Sequence, residues 1–364
     1  MVTPLYPPYT GGAAVHFFQI AQHLNECVDV IVLTTYHVSS VEQTKGINIF
    51  RTIPNLLETY VPNNAIYKSL RYIFLPTATF LSIFFIFLRY RPKLIHTHSS
   101  TSITLGACLF SLLFRLPVII DVQDLFPKDL PLRWVIKVGC SPRYLALGKK
   151  VEEMLISIDI PAQKILTLPL ARIPFVNEIR KKHIKEYEKE TSILFVGELT
   201  RIKGIDILLE AFKLASYQSN NISLKLIGRG PMHSYCEDFI NENHLNAKLL
   251  GMLNHKKTLE EISCSDILVL ASRTESYGRV IIEAFEFEKP VIATKVGGIP
   301  QLLKDGENGM LVEPCDPSGL ADAMLKLSKD KALREELGKN GKKSLMEMPT
   351  FEEISKNILD FYGL

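Results

Sequence analysis

The chain has 364 residues, 47% of them hydrophobic and 22% charged, and 42 Lys and Arg against 39 Asp and Glu leave a net charge of +3. These values exclude a disordered, collagen-like or low-complexity chain, and so even a balance argues against a nucleic-acid partner. At roughly 150 residues per domain, the length fits two or three domains. Six cysteines, at 27, 108, 140, 236, 264 and 315, form no C-x-x-C pair and no zinc-ligand spacing. A reduced, cytoplasmic compartment and no metal site are therefore expected. Residues 1–20 hold Pro4, Pro7, Pro8 and a Gly pair where the apolar core of a secretory signal would stand.

Short apolar runs alternate with helix-length segments, the pattern of parallel α/β units. Residues 13–25 read as a helix with Val15, Phe18, Ile20 and Leu24 on one side, and Val28–Thr34 reads as a strand. Residues 72–88, YIFLPTATFLSIFFIFL, are almost wholly apolar and are flanked by Arg71, Arg89, Arg91 and Lys93. A membrane-spanning helix needs about 20 apolar residues, and this run is shorter and broken by Pro76. It reads as a buried crossover helix, or else as a membrane-surface helix or hydrophobic docking face. Lys93–His96 and Pro117–Val122 read as further strands.

The charged stretch 177–190, NEIRKKHIKEYEKE, reads as a solvated linker between the two halves. Beyond it, strands are expected at Ser192–Val196, Ser223–Ile227, Ala247–Leu250, Ile267–Leu270, Pro290–Thr294 and Met310–Val312. Helices are expected at 204–216, 232–243, 258–263 and 279–287, with a helical, solvent-facing stretch at 317–345 and a last helix at 351–362. The fold class is therefore α/β, with two tandem Rossmann-like doubly wound domains. Ligands of such domains bind at the carboxyl ends of the strands, so a deep interdomain cleft is the expected site.

The strongest motif is Glu275-Ser276-Tyr277-Gly278-Arg279-Val280-Ile281-Ile282-Glu283, which follows a strand and opens a helix. Here one carboxylate lies in the loop and the other in the first turns of the helix, so both can line one cleft. Gly278 allows close backbone approach, and the amides of a helix N-terminus suit a phosphate. Carboxylates are good acceptors for vicinal ribose or sugar hydroxyls.

This phrase resembles the Glu-x7-Glu motif of the retaining glycosyltransferase family 4, of GT-B architecture. Ala271-Ser272-Arg273-Thr274 before it, and Lys289–Thr294 and Gly297-Gly298-Ile299-Pro300 after it, resemble the family's fuller pattern in the same register. Phe195-Val196-Gly197 with Lys203-Gly204 resembles its Gly turn and Lys-Gly pair, and Gly228-Arg229-Gly230-Pro231 resembles its loop near the nucleotide base. Gly251 stands where the family turns over that base. In the first half, Pro7–Ala13 with Gly11 and Gly12 resembles its first strand-to-helix loop. Ile120–Pro127, with Asp124, resembles a phrase of members that act on lipid-linked acceptors.

The resemblance implies a metal-independent hexosyltransferase-type enzyme with a nucleotide-diphosphate sugar as substrate rather than a cofactor. Its acceptor would be a glycan or lipid-linked sugar, at the cytoplasm or the inner membrane face and in peripheral contact with that membrane. Residues 1–172 would form the acceptor-side domain, 173–345 the nucleotide-sugar domain, and 346–364 a helix returning to the first domain. Lys203 would meet the diphosphate and Glu283 the ribose hydroxyls, with Glu275, Ser276, Tyr277 and Gly278 near the donor sugar. Gly11, Gly12, Gly197, Gly228 and Arg229 would complete the donor loops. Asp124 and His98 are the first domain's catalytic candidates, although Asp124 also reads as a helix N-cap and His98, with His96, as a hydrogen-bonded structural residue.

Three positions depart from the family pattern. Glu198 stands where Arg usually follows the turn Gly, and Gln123 stands where many members have His. The first domain also looks short, at its first strand and over 127–138. Two other classes therefore remain open: a non-catalytic partner or scaffold subunit, and another two-domain nucleotide-sugar enzyme such as an epimerase.

Overall fold

The computed structural model describes residues 1–4, 6–7, 12–35, 46–53, 65–99, 101–123, 142–172 and 190–363, without the side chains of 12, 13, 35, 53, 65–73 and 101. Gly11, Asp124, the stretch 127–138 and residues 177–189 of the charged linker lie outside the described residues. The chain divides into two compact units, Met1–Leu170 with Phe351–Leu364, and Ala171–Thr350.

Unit 1 runs β1 (Val2–Thr3), α1 (Gly12–Leu24), β2 (Ile31–Thr35), β3 (Asn48–Ile53), α2 (Ala65–Tyr90), β4 (Ile95–His98), α3 (Thr101–Phe114), β5 (Val118–Val122), β6 (Arg143–Leu147), α4 (Lys149–Ser157) and β7 (Ile165–Leu168). Among the described residues these strands form one parallel sheet in the order β3-β2-β1-β4-β5-β6-β7. The central strands β4 and β5 are buried along their whole length, as parallel strands covered on both faces are.

Two strand expectations shift. β2 starts at Ile31 rather than Val28, because Val28 N still donates to Leu24 O and Val30 N donates to Asn25 Oδ1, which holds 25–30 as the exit of α1. β4 covers Ile95–His98 rather than Lys93–His96, so His98 lies inside the strand and not beyond it. The apolar run forms a crossover helix with two different sides. Leu75, Ile83 and Ile86 enter the core with Leu33, Ile95 and Phe110, while Phe74, Leu81, Phe85 and Leu88 are exposed. Among the described residues no helix is long and apolar enough to cross a membrane.

Unit 2 runs β8 (Thr191–Val196), α5 (Ile205–Gln218), β9 (Ile222–Ile227), α6 (His233–Glu242), β10 (Ala247–Gly251), α7 (His255–Cys264), β11 (Ile267–Leu270), α8 (Arg279–Glu286), β12 (Val291–Thr294), α9 (Ile299–Leu302), β13 (Met310–Val312), α10 (Pro317–Lys329) and α11 (Lys331–Met346). Its parallel sheet has the order β10-β9-β8-β11-β12-β13. Phe195, Leu224, Leu226 and Val269 from the strands pack with Leu208 and Phe212 of α5 and with Leu320 and Met324 of α10. The expected solvent-facing stretch is instead two helices, each with a buried side, Leu320 and Met324 on α10 and Leu337 and Leu345 on α11. They break at Asp330, whose carboxylate accepts from Leu333 N at 2.9 Å and so caps α11.

The last helix, α12 (Phe351–Tyr362), belongs to unit 1. Phe351, Ile354, Ile358 and Tyr362 recur at helical spacing and are buried. Phe351 stacks on His23 of α1 at 6.1 Å between ring centres, and Arg143 donates to the carbonyls of Phe361 and Tyr362. In each sheet the strand order reverses once, between β1 and β4 and between β8 and β11. These are the switch points at which open α/β sheets bind ligands.

Candidate active site

The unit 2 switch point is flanked by two loops, 197–204 after β8 and 271–278 after β11. They meet tightly. Gly204 has φ +67°, and a Cβ there would fall 1.8 Å from the Ala271 carbonyl oxygen, so only glycine fits. Arg273 then braces the first loop. Its guanidinium donates to both Asp206 oxygens at 2.7 and 2.9 Å and to the Arg201 carbonyl at 2.6 Å, and its backbone N–H donates to the Ile202 carbonyl at 2.8 Å. Burial alone would raise the Asp206 carboxyl, but the Arg273 hydrogen bonds and charge outweigh it and hold the group below its ordinary value.

The brace orients Lys203. Its Nζ donates to Glu275 Oε2 at 2.7 Å, and Ser272 Oγ donates to the same oxygen at 3.2 Å. The Lys203 side chain is 30% exposed and that of Glu275 12%, so the pair is reachable from solvent on the lysine side. The Glu275 backbone is fixed from behind. Gly298 N donates to the Glu275 carbonyl at 3.3 Å, and a Cβ on Gly297 (φ +53°) would fall 1.7 Å from that carbonyl oxygen.

Gly278, at φ +72°, is the N-cap of α8, so the chain turns from the Glu275 loop into the helix without a side chain in the way. Ser276 is half-buried and Tyr277 buried just before it. One turn into α8, Glu283 Oε1 lies 3.2 Å from His255 Nε2 at the start of α7. Burial pushes the Arg279 guanidinium down to about 10, against the opposing pull of the Glu283 carboxylate. Sequence reasoning missed His255, whose approach to Glu283 depends on two helices 28 positions apart.

The remaining loops on this edge are laced together. Gly197 N donates to Ile227 O at 3.0 Å, Gly228 N to Gly251 O at 2.9 Å, and Leu199 N to Arg229 O at 2.9 Å. A Cβ on Gly228 would fall 1.8 Å from Gly197 O. Glu198, Arg201 and Arg229 are exposed around this seam.

In unit 1, Gly12 opens α1. His98 ends β4, buried, with Phe17 edge-on at 5.3 Å between ring centres and Thr104 Oγ1 donating to its carbonyl at 2.8 Å. Beside it lies a cluster that sequence reasoning missed. Asp121 Oδ2 is 3.1 Å from His16 Nε2 and 3.3 Å from His96 Nε2, and His96 Nδ1 is 2.5 Å from the Tyr362 hydroxyl, all buried. Burial would raise the Asp121 carboxyl, but His16 and then His96 hold it well below the usual carboxylate range. Burial lowers His96 despite its bond to Asp121, and raises the Tyr362 hydroxyl well above its ordinary value. A cavity of about 870 Å³ in unit 1 lies at the amino ends of β1, β2, β3 and β4, away from the strand ends that bind ligands.

Two family models match the chain, one described as glycosyltransferase family 4 over residues 10–171 and one as glycosyl transferases group 1 over residues 176–344. The chain belongs to the family 4 glycosyltransferases. An uncharacterized glycosyltransferase of Methanocaldococcus jannaschii is 28% identical to this transferase over 358 residues, covering 94% of this chain and 92% of its own. Among solved structures, sucrose-phosphate synthase of Thermosynechococcus elongatus superposes with a TM-score of 0.82 at 20% identity, over 100% of this chain and 97% of its own. HepE of Anabaena, solved in complex with UDP and glucose, does so with a TM-score of 0.78 at 18% identity, over 100% and 98%. These likenesses fix the GT-B fold of the transferase.

Proposed function

We propose that this glycosyltransferase takes a hexose from a nucleotide-diphosphate sugar held on unit 2 and passes it, with retention of configuration and without a metal, to a glycan or lipid-linked acceptor met by unit 1. The observation that carries the reading is the Lys203–Glu275 contact at the unit 2 switch point, with Glu283 one turn into the next helix. Lys203 exchanges Glu275 for a donor phosphate, where an ammonium acts as a point charge. Glu283 accepts from the ribose hydroxyls, positioned by His255. Glu275, released, turns to the donor sugar, together with Ser276, Tyr277 and the Gly278 turn. Gly197, Gly228 and Arg229 supply the seam against the nucleotide, and Gly11 and Gly12 are assigned to a donor loop of unit 1.

In the reaction the bond from the anomeric carbon to the diphosphate breaks, and a bond to an acceptor oxygen forms on the same face. The acceptor's proton leaves with the diphosphate. Negative charge grows on the leaving group, and fixed donors aimed at it lower the barrier. Asp124 and His98 are assigned to the acceptor side. UDP is the favoured nucleotide, supported by HepE of Anabaena, whose solved complex contains UDP and glucose. A lipid-linked acceptor would bring the enzyme to the cytoplasmic membrane face. A scaffold or epimerase role gains nothing from the family match.

The test is slow donor hydrolysis, which needs no acceptor. The protein is incubated with UDP-, GDP- and ADP-hexoses, with and without EDTA, and released nucleotide and the anomer of the free sugar are followed by NMR. Release from one nucleotide class with retention, unchanged by EDTA, is expected. An inverted sugar or dependence on a divalent metal would refute those parts of the reading, and no release from any donor would refute the whole.

A further inference from the structure

Helices α2 and α3 lie side by side over one face of the unit 1 sheet, and their outer surface is apolar. On α2, Phe74, Leu81, Phe84, Phe85 and Leu88 recur on one side, a stripe of about 21 Å at 1.5 Å per residue. On α3, Leu109, Leu112 and Leu113 do the same, with Leu113 66% exposed. The Phe84 and Phe114 rings meet at 5.8 Å and close the seam between the helices. Phe85 and Leu81, with Phe50 and Ile86, also line an open cleft of about 210 Å³. A surface helix normally turns such residues inward and leaves polar ones outside, and a continuous apolar patch marks an interaction surface.

What covers it is argued from charge. Both helices precede or follow parallel strands, so their carboxyl ends lie at one end of the layer. There stand Arg89, Arg91, Lys93 and Arg115, all exposed. Arg91 and Arg115 occupy the left-handed region at φ 52° and 55°, where an L side chain is strained and glycine would not be. Between Glu58 and Asp121 the sequence has no Asp or Glu. A two-fold contact between copies of this chain would bring two such cation groups together with no acid from this segment to pair them.

We propose that the α2–α3 face docks on an anionic lipid bilayer, with the apolar stripe at the acyl boundary and the four cations at the headgroups. The inference rests on the membrane-face reading of the acceptor given above and adds the surface that makes the contact.

The test is flotation of the full chain with vesicles of phosphatidylcholine alone and of phosphatidylcholine with phosphatidylglycerol. Binding at least tenfold stronger to the anionic vesicles is expected, weakened by salt. It should fall at least tenfold in Leu81→Ser/Phe85→Ser and in Arg91→Glu/Arg115→Glu, and stay unchanged in Tyr217→Ser, an exposed site on unit 2. Melting curves check that each variant folds, and single Leu113→Ser serves if the double variant does not. The proposal is overturned if wild type does not float, if the patch variants float equally well, or if the face instead holds a dimer that Leu81→Ser/Phe85→Ser dissociates. Thermal stabilisation by UDP-sugar, measured on the same samples, stays at the wild-type value in all variants. Its absence from wild type would count against the donor reading and leave the docking result standing.

Discussion

Gly297→Ala is the sharpest probe of how the site is held. A Cβ at this position falls 1.7 Å from the Glu275 carbonyl oxygen, against a practical limit of 3.0 Å, so the Glu275 loop must retreat by about 1.3 Å. The substitution also places an L residue at φ +53°, which costs roughly 1–2 kcal/mol. It weakens the Gly298 N–H bond to the same carbonyl, worth about 1 kcal/mol. The expected loss of stability is about 2–3 kcal/mol. Gly306→Ala is the matched control, because Gly306 has φ +72° but nothing within 4 Å of the new Cβ. It should lose only the backbone cost of roughly 1–2 kcal/mol. Function separates them further. A misplacement of about 1 Å in a positioning group can lower turnover roughly 100-fold, so Gly297→Ala should lose donor turnover on that scale while Gly306→Ala keeps it. Urea unfolding and donor hydrolysis on the two variants make the comparison. Equal stability and equal turnover would refute the claim that Gly297 supports the Glu275 loop.

Lys203→Met removes the cation beside Glu275 and should weaken donor binding by about 10- to 100-fold, the worth of one charge-assisted hydrogen bond; calorimetric titration checks this, and unchanged affinity would remove Lys203 from the phosphate site. Buried His96 gives a pH dependence. Burial lowers His96 in the fold, so the unfolded chain takes up a proton near pH 6.5 that the native state does not. Stability is therefore full above that pH and falls as pH drops through it toward the folded value, with a limiting slope of about 1.4 kcal/mol per unit. Asp121 is held low, so its contribution is lost only in stronger acid. His96→Gln should flatten the slope of urea-measured stability between pH 7.5 and 5, and an unchanged slope would contradict this.

The donor side was legible because its signals are local. The strand Ile267–Leu270, the Gly278 turn and the helix from Arg279 follow one another in the chain, so hydropathy, glycine and carboxylates could be read in register. Strand β4 was misplaced for the opposite reason. Its last three residues, His96-Thr97-His98, are polar yet buried, because His96 is satisfied by Asp121, 25 positions away, and by Tyr362, 266 positions away. No local pattern carries that information. His16, Asp121 and His255 were missed on the same ground, and β3, β6 and β7 because each is a run of four to six residues, too short for periodicity to tell strand from helix, although Pro142 and Gly148 bracket β6 and Pro169 follows β7. The run 72–88 showed its helix but not its two-sidedness, since an all-apolar segment does not say which side the sheet will cover.

The most direct measurement of the central claim, a nucleotide sugar bound on unit 2 through Glu283, is thermal stabilisation by UDP-, GDP- and ADP-sugars on wild type and Glu283→Ala. A ligand that binds only the native state adds about 2.7 kcal/mol at a hundredfold excess over its Kd. The account predicts a rise in melting temperature with one nucleotide class, largest for UDP-sugars, and its loss in Glu283→Ala. No rise with any donor, or an equal rise in Glu283→Ala, would contradict it.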